Sequence, residues 1–163
     1  MVPADYFLKI DGVSGESPDA KHKGEIQLES FSWGEANPGG ATLGGGGGAG
    51  AGKVQMQDLV FTMAVSKASP KLMLACATGK HHKEAVLTVR KAGKTQQEFL
   101  VFKFKDVVVT SYQIGGSELG DAPMDQGSLG FSTIQMEYKP QKADGSLDTP
   151  VKAGWDLKQN KAI

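Results

Sequence analysis

Apolar and polar residues alternate along most of this chain with the period of two that is typical of half-buried β-strands. The clearest runs predict strands over residues 6–10, 25–34, 54–65, 85–91, 98–112 and 129–139, with a last edge strand around Trp155. Polar, glycine-containing stretches predict loops over residues 11–23 and 115–127 and a turn over residues 80–83. Seven or eight strands with one helix favour a mainly β fold, an antiparallel β-barrel of two sheets with one flanking α-helix.

The alternation over residues 25–34 changes face midway. Near the start of this segment the apolar face carries Ile26 and Leu28, whereas near its end the opposite face carries Phe31 and Trp33. A strand that changes its buried face is typical of a bulge or of a passage between two sheets. We therefore predict one of these two features in this segment.

A helix is predicted at about residues 69–79, where signals for both ends agree. Ser69 can cap the first free amides, and Pro70 suits the first helical position. Gly79 can adopt the left-handed conformation that ends a helix. This is the one convincing helix in a chain that otherwise alternates like a β-sheet.

The middle of this helix is apolar on every side, whereas a helix lying on one sheet with its back to water shows one apolar stripe. Both faces should therefore be covered, one by the helix's own sheet and the other by another part of the chain or another subunit. The residues expected in this interface or core are Leu72, Met73, Leu74 and Cys76. Cys76 is interpreted as a small buried apolar residue, since no histidine or asparagine is placed to suggest a thiolate pair.

Composition excludes several classes of protein. A chain of 163 residues fits one domain, and 18 basic against 18 acidic residues give no net field to attract nucleic acid or an acidic membrane. A single cysteine excludes an internal disulfide and suits a reducing cytosol. No run approaches the ~20 apolar residues of a membrane span, and the start of the chain lacks a signal-peptide core. We expect a cytoplasmic protein without membrane insertion, whose export would need another route.

Residues 36–53 form an extended glycine-rich loop with nine glycines and Pro38. Gly47 to Lys53 formally matches the phosphate-binding pattern G-x-x-x-x-G-K, which would suggest a nucleotide-dependent enzyme. That pattern requires serine or threonine next, where Val54 stands, and a following helix, where the alternation indicates a strand. Nucleotide binding is therefore disfavoured, and we expect the loop to be disordered or ordered by docking on a partner.

No catalytic or metal site is predicted. His22 stands between two lysines in a polar loop and is interpreted as a solvated residue. His81 and His82 are adjacent, so on a strand they would point to opposite faces, and no cysteine or acid cluster completes a metal-ligand set. No serine, cysteine or histidine lies in a recognised nucleophile motif, and no cofactor is expected.

Several separate stretches resemble the Hcp family, the hemolysin-coregulated proteins that build the inner tube of bacterial type VI secretion systems. They include Tyr6-Phe-Leu-Lys-Ile-Asp-Gly, Phe31-Ser-Trp-Gly, Ser69-Pro-Lys-Leu-Met, Cys76-Ala-Thr-Gly-Lys-His and Gly154-Trp-Asp-Leu. No single stretch is diagnostic, but together the stretches cover essentially the whole chain, and their order and spacing make the resemblance strong. One departure is at Ala49 to Gly52, where an extra Ala-Gly lengthens the glycine run before the lysine.

This resemblance implies a single β-barrel domain over residues 1–163 that forms homohexameric rings. The rings would stack into a tube, be ejected by a contracting sheath together with VgrG spike proteins, and carry small effector proteins in the lumen. Ser32 matches a family position on the strand that lines the channel, and Ser30 shares its face. The glycine-rich loop is expected to join ring to ring through Gly44, Gly45, Gly46, Gly47, Gly48, Gly50 and Gly52.

A competing class is a monomeric carbohydrate- or ligand-binding β-sandwich. Such a module would need an exposed aromatic platform, for which the chain offers two tryptophans in strand-like settings. The nucleotide-dependent enzyme is a third class and rests only on the partial match at Lys53.

Overall fold

The computed structural model describes residues 3–38, 53–92, 95–120 and 122–163 of the chain. Within these ranges the chain forms one helix, α1 (Ala68–Thr78), and twelve β-strands. The strands are β1 (Ala4–Ile10), β2 (Ile26–Leu28), β3 (Ser30–Ser32), β4 (Glu35–Ala36), β5 (Gln55–Met56), β6 (Leu59–Ala64), β7 (His81–Lys91), β8 (Gln97–Gly115), β9 (Met124–Gly130), β10 (Thr133–Tyr138), β11 (Val151–Asp156) and β12 (Lys161–Ala162). The architecture is mainly β with one flanking helix, as the alternation predicts.

The long strand β8 organises the sheets. One edge of β8 pairs with β7, and its other edge pairs first with β10 and then, from Val108 onward, with β9. The strands of the larger sheet follow the order β12-β11-β10-β8-β7-β1-β2, while β9 leads through β6 to β3. All of these pairs are antiparallel.

The change of buried face predicted over residues 25–34 occurs at Glu29, where the chain changes its partner strand within one sheet. On one side of this residue β2 pairs with β1, and on the other side β3 pairs with β6. The backbone N–H of Glu29 donates to the carbonyl of Thr62 at 2.8 Å, so the change of partner leaves no gap in the hydrogen bonds. The path of paired strands from β1 through β7, β8, β9 and β6 therefore returns, through β3 and β2, to β1.

The core lies on the inner face of these strands, where cross-strand neighbours form continuous apolar rows. One row runs through Ile10, Ala85, Phe104, Ile134 and Trp155 on successive strands β1, β7, β8, β10 and β11. The first four of these side chains are buried, and Trp155 is half-buried. Burial thus decreases along the row toward β11, where the inner face of the sheet extends beyond the core.

The C-terminal end of the helix is as predicted, whereas the N-terminal end differs from the prediction. Gly79 has φ 66° and its N–H donates to the carbonyl of Ala75, which confirms the left-handed end. Ser69 is not the N-terminal cap, because the helix begins at Ala68 and Ser69 lies in its first turn. Its hydroxyl instead accepts a hydrogen bond from the backbone N–H of Ser66 at 3.0 Å.

Two predicted connections are wrong. The loop over residues 115–127 is shorter than expected, since β9 already begins at Met124, and the turn over residues 80–83 is the start of β7. The inward positions of β9 include a buried aspartate, Asp125, and Gly127, whose missing side chain leaves room for the ring of Phe61. A Cβ atom on Gly127 would lie 2.7 Å from that ring, so the strand has no continuous apolar alternation.

The strand around Trp155 is not at the edge, because β12 pairs outside β11. The strand count also exceeds seven or eight, since the predicted strands over residues 25–34 and 54–65 are each divided into two. Within the described ranges, no helix is long and apolar enough to cross a membrane.

Candidate assembly surfaces

Helix α1 carries two apolar stripes on opposite sides. Its inner side buries Ala68, Ser69, Leu72 and Ala75 against the sheets. Its outer side presents Pro70, Met73, Leu74 and Ala77, which are exposed and follow the i, i+3, i+4, i+7 spacing of one helix face. We call these four residues the outer stripe. Met73 and Leu74 are 56% and 60% exposed, an unusual amount for apolar side chains that neighbour each other.

The four helix residues predicted as interface or core therefore separate into two groups. Leu72 is fully buried in the chain's own core, whereas Met73 and Leu74 face outward. Cys76 was expected to be buried but is half-buried at the margin of the core. The sequence predicts an apolar helix, but the side that faces the sheet depends on contacts with distant strands.

A buried carboxylate holds the helix in its orientation. Asp125 of β9 is 1% exposed and accepts hydrogen bonds from the hydroxyl of Ser69 and, at 2.9 Å, from the hydroxyl of Tyr112. Burial, followed by the hydrogen bond to Asp125, raises the pKa of Tyr112 above its usual value. This network connects the first turn of α1 to β8 and β9, so the outer stripe has a fixed direction.

A second apolar surface lies between the β4–β5 ladder and the strands β10 and β11. It is a groove of about 610 Å³, and we call it the tryptophan groove. Its apolar lining includes Trp33, Met56, Ile134, Met136 and Trp155. The sequence gives no signal for this groove, since its two tryptophans come from opposite ends of the chain.

Ser30 and Ser32 lie on a polar outer face of the large sheet, in the part formed by β3, β6 and β9. Both are exposed, and the hydroxyl of Ser30 lies 2.6 Å from that of Thr62 on the neighbouring strand β6. The next strand, β9, places Gln126 opposite Thr62. We call Ser30, Ser32, Thr62 and Gln126 the hydroxyl-amide face. The aromatic side chain between the two serines, Phe31, packs against the core instead.

The glycines predicted to join ring to ring lie outside the described residues. The chain reaches them from β4 and leaves them into β5, which pair as Glu35 with Met56 and Ala36 with Gln55. The outer stripe, the hydroxyl-amide face and this ladder share no residue.

His22 is buried, not solvated as predicted. It is 6% exposed, its Nδ1 lies 2.9 Å from a Glu25 carboxylate oxygen, and its Nε2 lies 2.6 Å from a Glu98 oxygen. The ring also stacks on Phe7 with centroids 4.3 Å apart. Each ring nitrogen of His22 therefore lies within hydrogen-bond distance of a carboxylate oxygen.

Adjacent His81 and His82 point to opposite faces, as predicted. His81 is exposed, whereas His82 is buried with Nδ1 2.8 Å from the carbonyl oxygen of Asp11. Among the described residues no cluster of three or more histidine, cysteine or acidic side chains could hold a metal ion.

Among the described residues, Asp106 with Ser132 and His81 comes nearest to the residue types of a catalytic triad. Its carboxylate accepts hydrogen bonds from Ser132 at 2.6 Å, from His81 at 2.8 Å and from Lys158 at 2.9 Å. These donors, Ser132 foremost, hold the pKa of Asp106 well below its usual range. A nucleophilic triad needs serine bonded to histidine and histidine to aspartate, whereas here both donors bond to the aspartate. The arrangement cannot activate Ser132.

Comparisons with known proteins agree with one another. Residues 7–138 match the family described as type VI secretion system effector, Hcp. Protein hcp1 of Pseudomonas aeruginosa is 48% identical over 158 residues, which cover 96% of each chain. A solved type six secretion system protein superimposes with a TM-score of 0.92 at 32% identity, covering 99% of this chain and 100% of that one. Hcp1 from Salmonella typhimurium superimposes with a TM-score of 0.79 at 36% identity, and each chain is covered completely.

Proposed function

The chain belongs to the Hcp family of type VI secretion systems, and we propose that it forms hexameric rings that stack into the inner tube and carry small effector proteins. Proteins of this family are secreted tube and effector proteins of a structural kind rather than a family of known enzymes. The sheath and the VgrG spike are the further partners that such a tube requires.

The observation that supports the ring most strongly is the outer stripe of α1. A helix that is covered on just one side has a polar outer side. On the outer side of α1, however, Met73 and Leu74 expose more than half of their surface. Burying a side chain of this kind stabilises an association by about 1.5–3 kcal/mol. Contact with another copy would cover the stripe.

The hydroxyl-amide face supports the role of Ser30 and Ser32 as the wall of the lumen. Short polar side chains project only a short distance from the sheet, and hydroxyl and amide groups can hydrogen-bond to water or to a polar cargo. An apolar wall would retain unfolded chains without selection. The face therefore suits a channel for a small folded protein.

The role of the glycine-rich segment as the contact between rings rests on the sequence. Glycine amides can approach another chain closely, and ordering many glycines costs more conformational entropy than ordering other residues. Contacts between rings must offset that cost. Stacking would consequently be weak and conditional, which suits a tube that assembles inside a sheath and comes apart after ejection.

Negative-stain imaging and light scattering of the purified protein test the ring directly. We expect closed rings with a central opening and a mass of six copies at micromolar concentration. A monodisperse monomer under these conditions would contradict the proposal and favour a ligand-binding module.

A further inference from the structure

The tryptophan groove is a part of the core that residues 3–38, 53–92, 95–120 and 122–163 leave uncovered. Its floor continues the inner face of the large sheet, because Ile134 stands directly beside Phe104, and Trp155 directly beside Ile134, in one cross-strand row. A second row leads from buried Phe102 to Met136, which is 41% exposed. Residues that are core-like in type and position thus face an open cleft.

The outer stripe forms an apolar ridge on the surface of the helix. Pro70 and Ala77 are seven residues apart, so the stripe is a ridge about 10 Å long, two helical turns. An amphipathic helix lying in an apolar groove is a common mode of protein recognition. We propose that the tryptophan groove of one copy receives the outer stripe of α1 from the neighbouring copy. This inference rests on the proposed ring and assigns its contact surfaces.

Ring symmetry requires such a pair of different surfaces. In a closed cyclic assembly larger than a dimer, each subunit contacts its two neighbours through different patches, and each patch is complementary to the other. The groove and the outer stripe share no residue, so both can be occupied at once. A contact of the groove with itself would stop at a dimer.

Charges at the two surfaces are complementary. Among the described residues that line the groove, Glu35 alone is charged. The helix segment from Ala68 to Lys80 contains no acidic residue, and Lys71 is exposed next to Pro70 of the outer stripe. Docking that places Lys71 near Glu35 would set the register of the helix in the groove.

Tryptophan fluorescence tests the contact, because both tryptophans of the chain line this groove. The variant Leu74→Lys changes the helix and touches neither tryptophan. We expect this variant to lose the ring and to show at least a twofold rise in acrylamide quenching of tryptophan emission. The matched control is Leu119→Lys, since Leu119 is 99% exposed and distant in sequence from both surfaces. The control should keep the ring and the quenching of the wild type.

Cross-linking tests the pairing itself. In a Cys76→Ala background, the double variant Leu74→Cys with Met136→Cys should form a ladder of covalent oligomers up to a closed ring under mild oxidation. Each single-cysteine variant should form no cross-link, and a mixture of the two should form dimers. Circular dichroism and the wild-type ring mass show whether each variant still folds and assembles.

The outcomes separate this inference from the proposed ring. If the wild type forms a ring but the double variant gives no ladder, the groove contact is overturned and the ring proposal stands. The same conclusion follows if tryptophan emission is quenched equally in the ring and in the monomer. Dimers from Met136→Cys alone would show groove-to-groove contact and would also overturn it. A wild-type monomer would overturn both proposals.

Discussion

At the scale of single residues, Arg90 fastens the N-terminal loop to the large sheet. The residue is 2% exposed, and its guanidinium donates to both carboxylate oxygens of Asp19 at 3.0 and 2.7 Å and to Asp5 at 3.2 Å. It also lies 4.7 Å from the centre of the Phe7 ring, on which His22 stacks. These contacts connect residues 11–25 with β1 and β7.

The first prediction concerns Asp19 and pH. Hydrogen bonds from Arg90, above all, hold the pKa of Asp19 well below its usual range. Because the folded-state pKa is lowered, the stabilisation is complete above the unfolded pKa of about 3.9 and is lost as the pH falls toward the folded value. Thermal unfolding should show Asp19→Asn less stable than wild type at pH 7, with a smaller difference at pH 3.

The control for this measurement is Glu118→Gln, an exposed residue in the connection between β8 and β9. It should follow the wild type at both pH values. A difference between Asp19→Asn and wild type that grew on acidification would contradict the assignment of Asp19 as the partner of Arg90.

The second prediction concerns the anchor of α1. Ser69→Ala removes the hydroxyl that donates to Asp125 and accepts from the N–H of Ser66. Leaving buried polar partners unsatisfied costs about 1–3 kcal/mol, so urea denaturation should show a loss of that size. Ser32→Ala, an exposed hydroxyl on β3, should change the unfolding free energy by less than about 0.5 kcal/mol. Equal effects of the two substitutions would disprove the anchor.

The residue scale also shows where prediction from sequence reaches its limit. His22 was expected to be solvated because Lys21 and Lys23 flank it, but Glu98, which bonds to its Nε2, lies on β8. Trp33 and Trp155 likewise line the same groove only because the fold brings distant parts of the chain together. Alternation reports the face of a side chain relative to its own strand, and it carries no information about partners from distant strands.

At the scale of elements, alternation predicts the long strands well and the short ones poorly. The strands β1, β7, β8 and β10 lie where apolar and polar residues alternate cleanly. By contrast β9 was missed, because a buried aspartate and a glycine occupy its inward positions. The helix was predicted from its composition and its terminal glycine, and the sequence predicted that its middle is apolar on every side.

The third prediction belongs to the glycine-rich segment. Deleting Gly45 to Ala51 should leave rings intact and lower tube formation and secretion, since β4 and β5 can remain paired at the base of a shorter connection. Ring mass and electron microscopy of tubes report the two effects separately. Full tube formation by the deletion variant would remove the stacking role.

The same segment provides a test of the nucleotide hypothesis. Neither the wild type nor Lys53→Ala should bind ATP, as measured by calorimetry with Mg²⁺ and ATP. Saturable binding that this substitution abolishes would revive a phosphate-binding loop.

At the scale of the whole molecule, the family resemblance adds what patterning cannot provide. Alternation and one helix lead to a mainly β domain, and the ordered stretches from Tyr6 to Leu157 lead to the Hcp family, which the comparisons confirm. Ring formation depends on surfaces that are complementary between copies, and a single sequence shows such surfaces only as unexplained apolar residues.

The fourth prediction concerns the lumen. Ser32→Gln lengthens an exposed side chain on the hydroxyl-amide face, so it should keep the ring and reduce the amount of effector that co-purifies, by several-fold. Glu118→Gln serves again as the surface control. Unchanged effector retention in Ser32→Gln would count against this face as the channel wall.

The central claim is that the outer stripe of α1 holds copies of the chain together, and native mass spectrometry tests it most directly. Wild type and Leu119→Lys should appear as hexamers at micromolar concentration, whereas Leu74→Lys should appear mainly as a folded monomer. A lysine at each contact needs to weaken it by only about 1.4 kcal/mol to reduce each association tenfold. A hexamer that persists unchanged in Leu74→Lys would contradict the account.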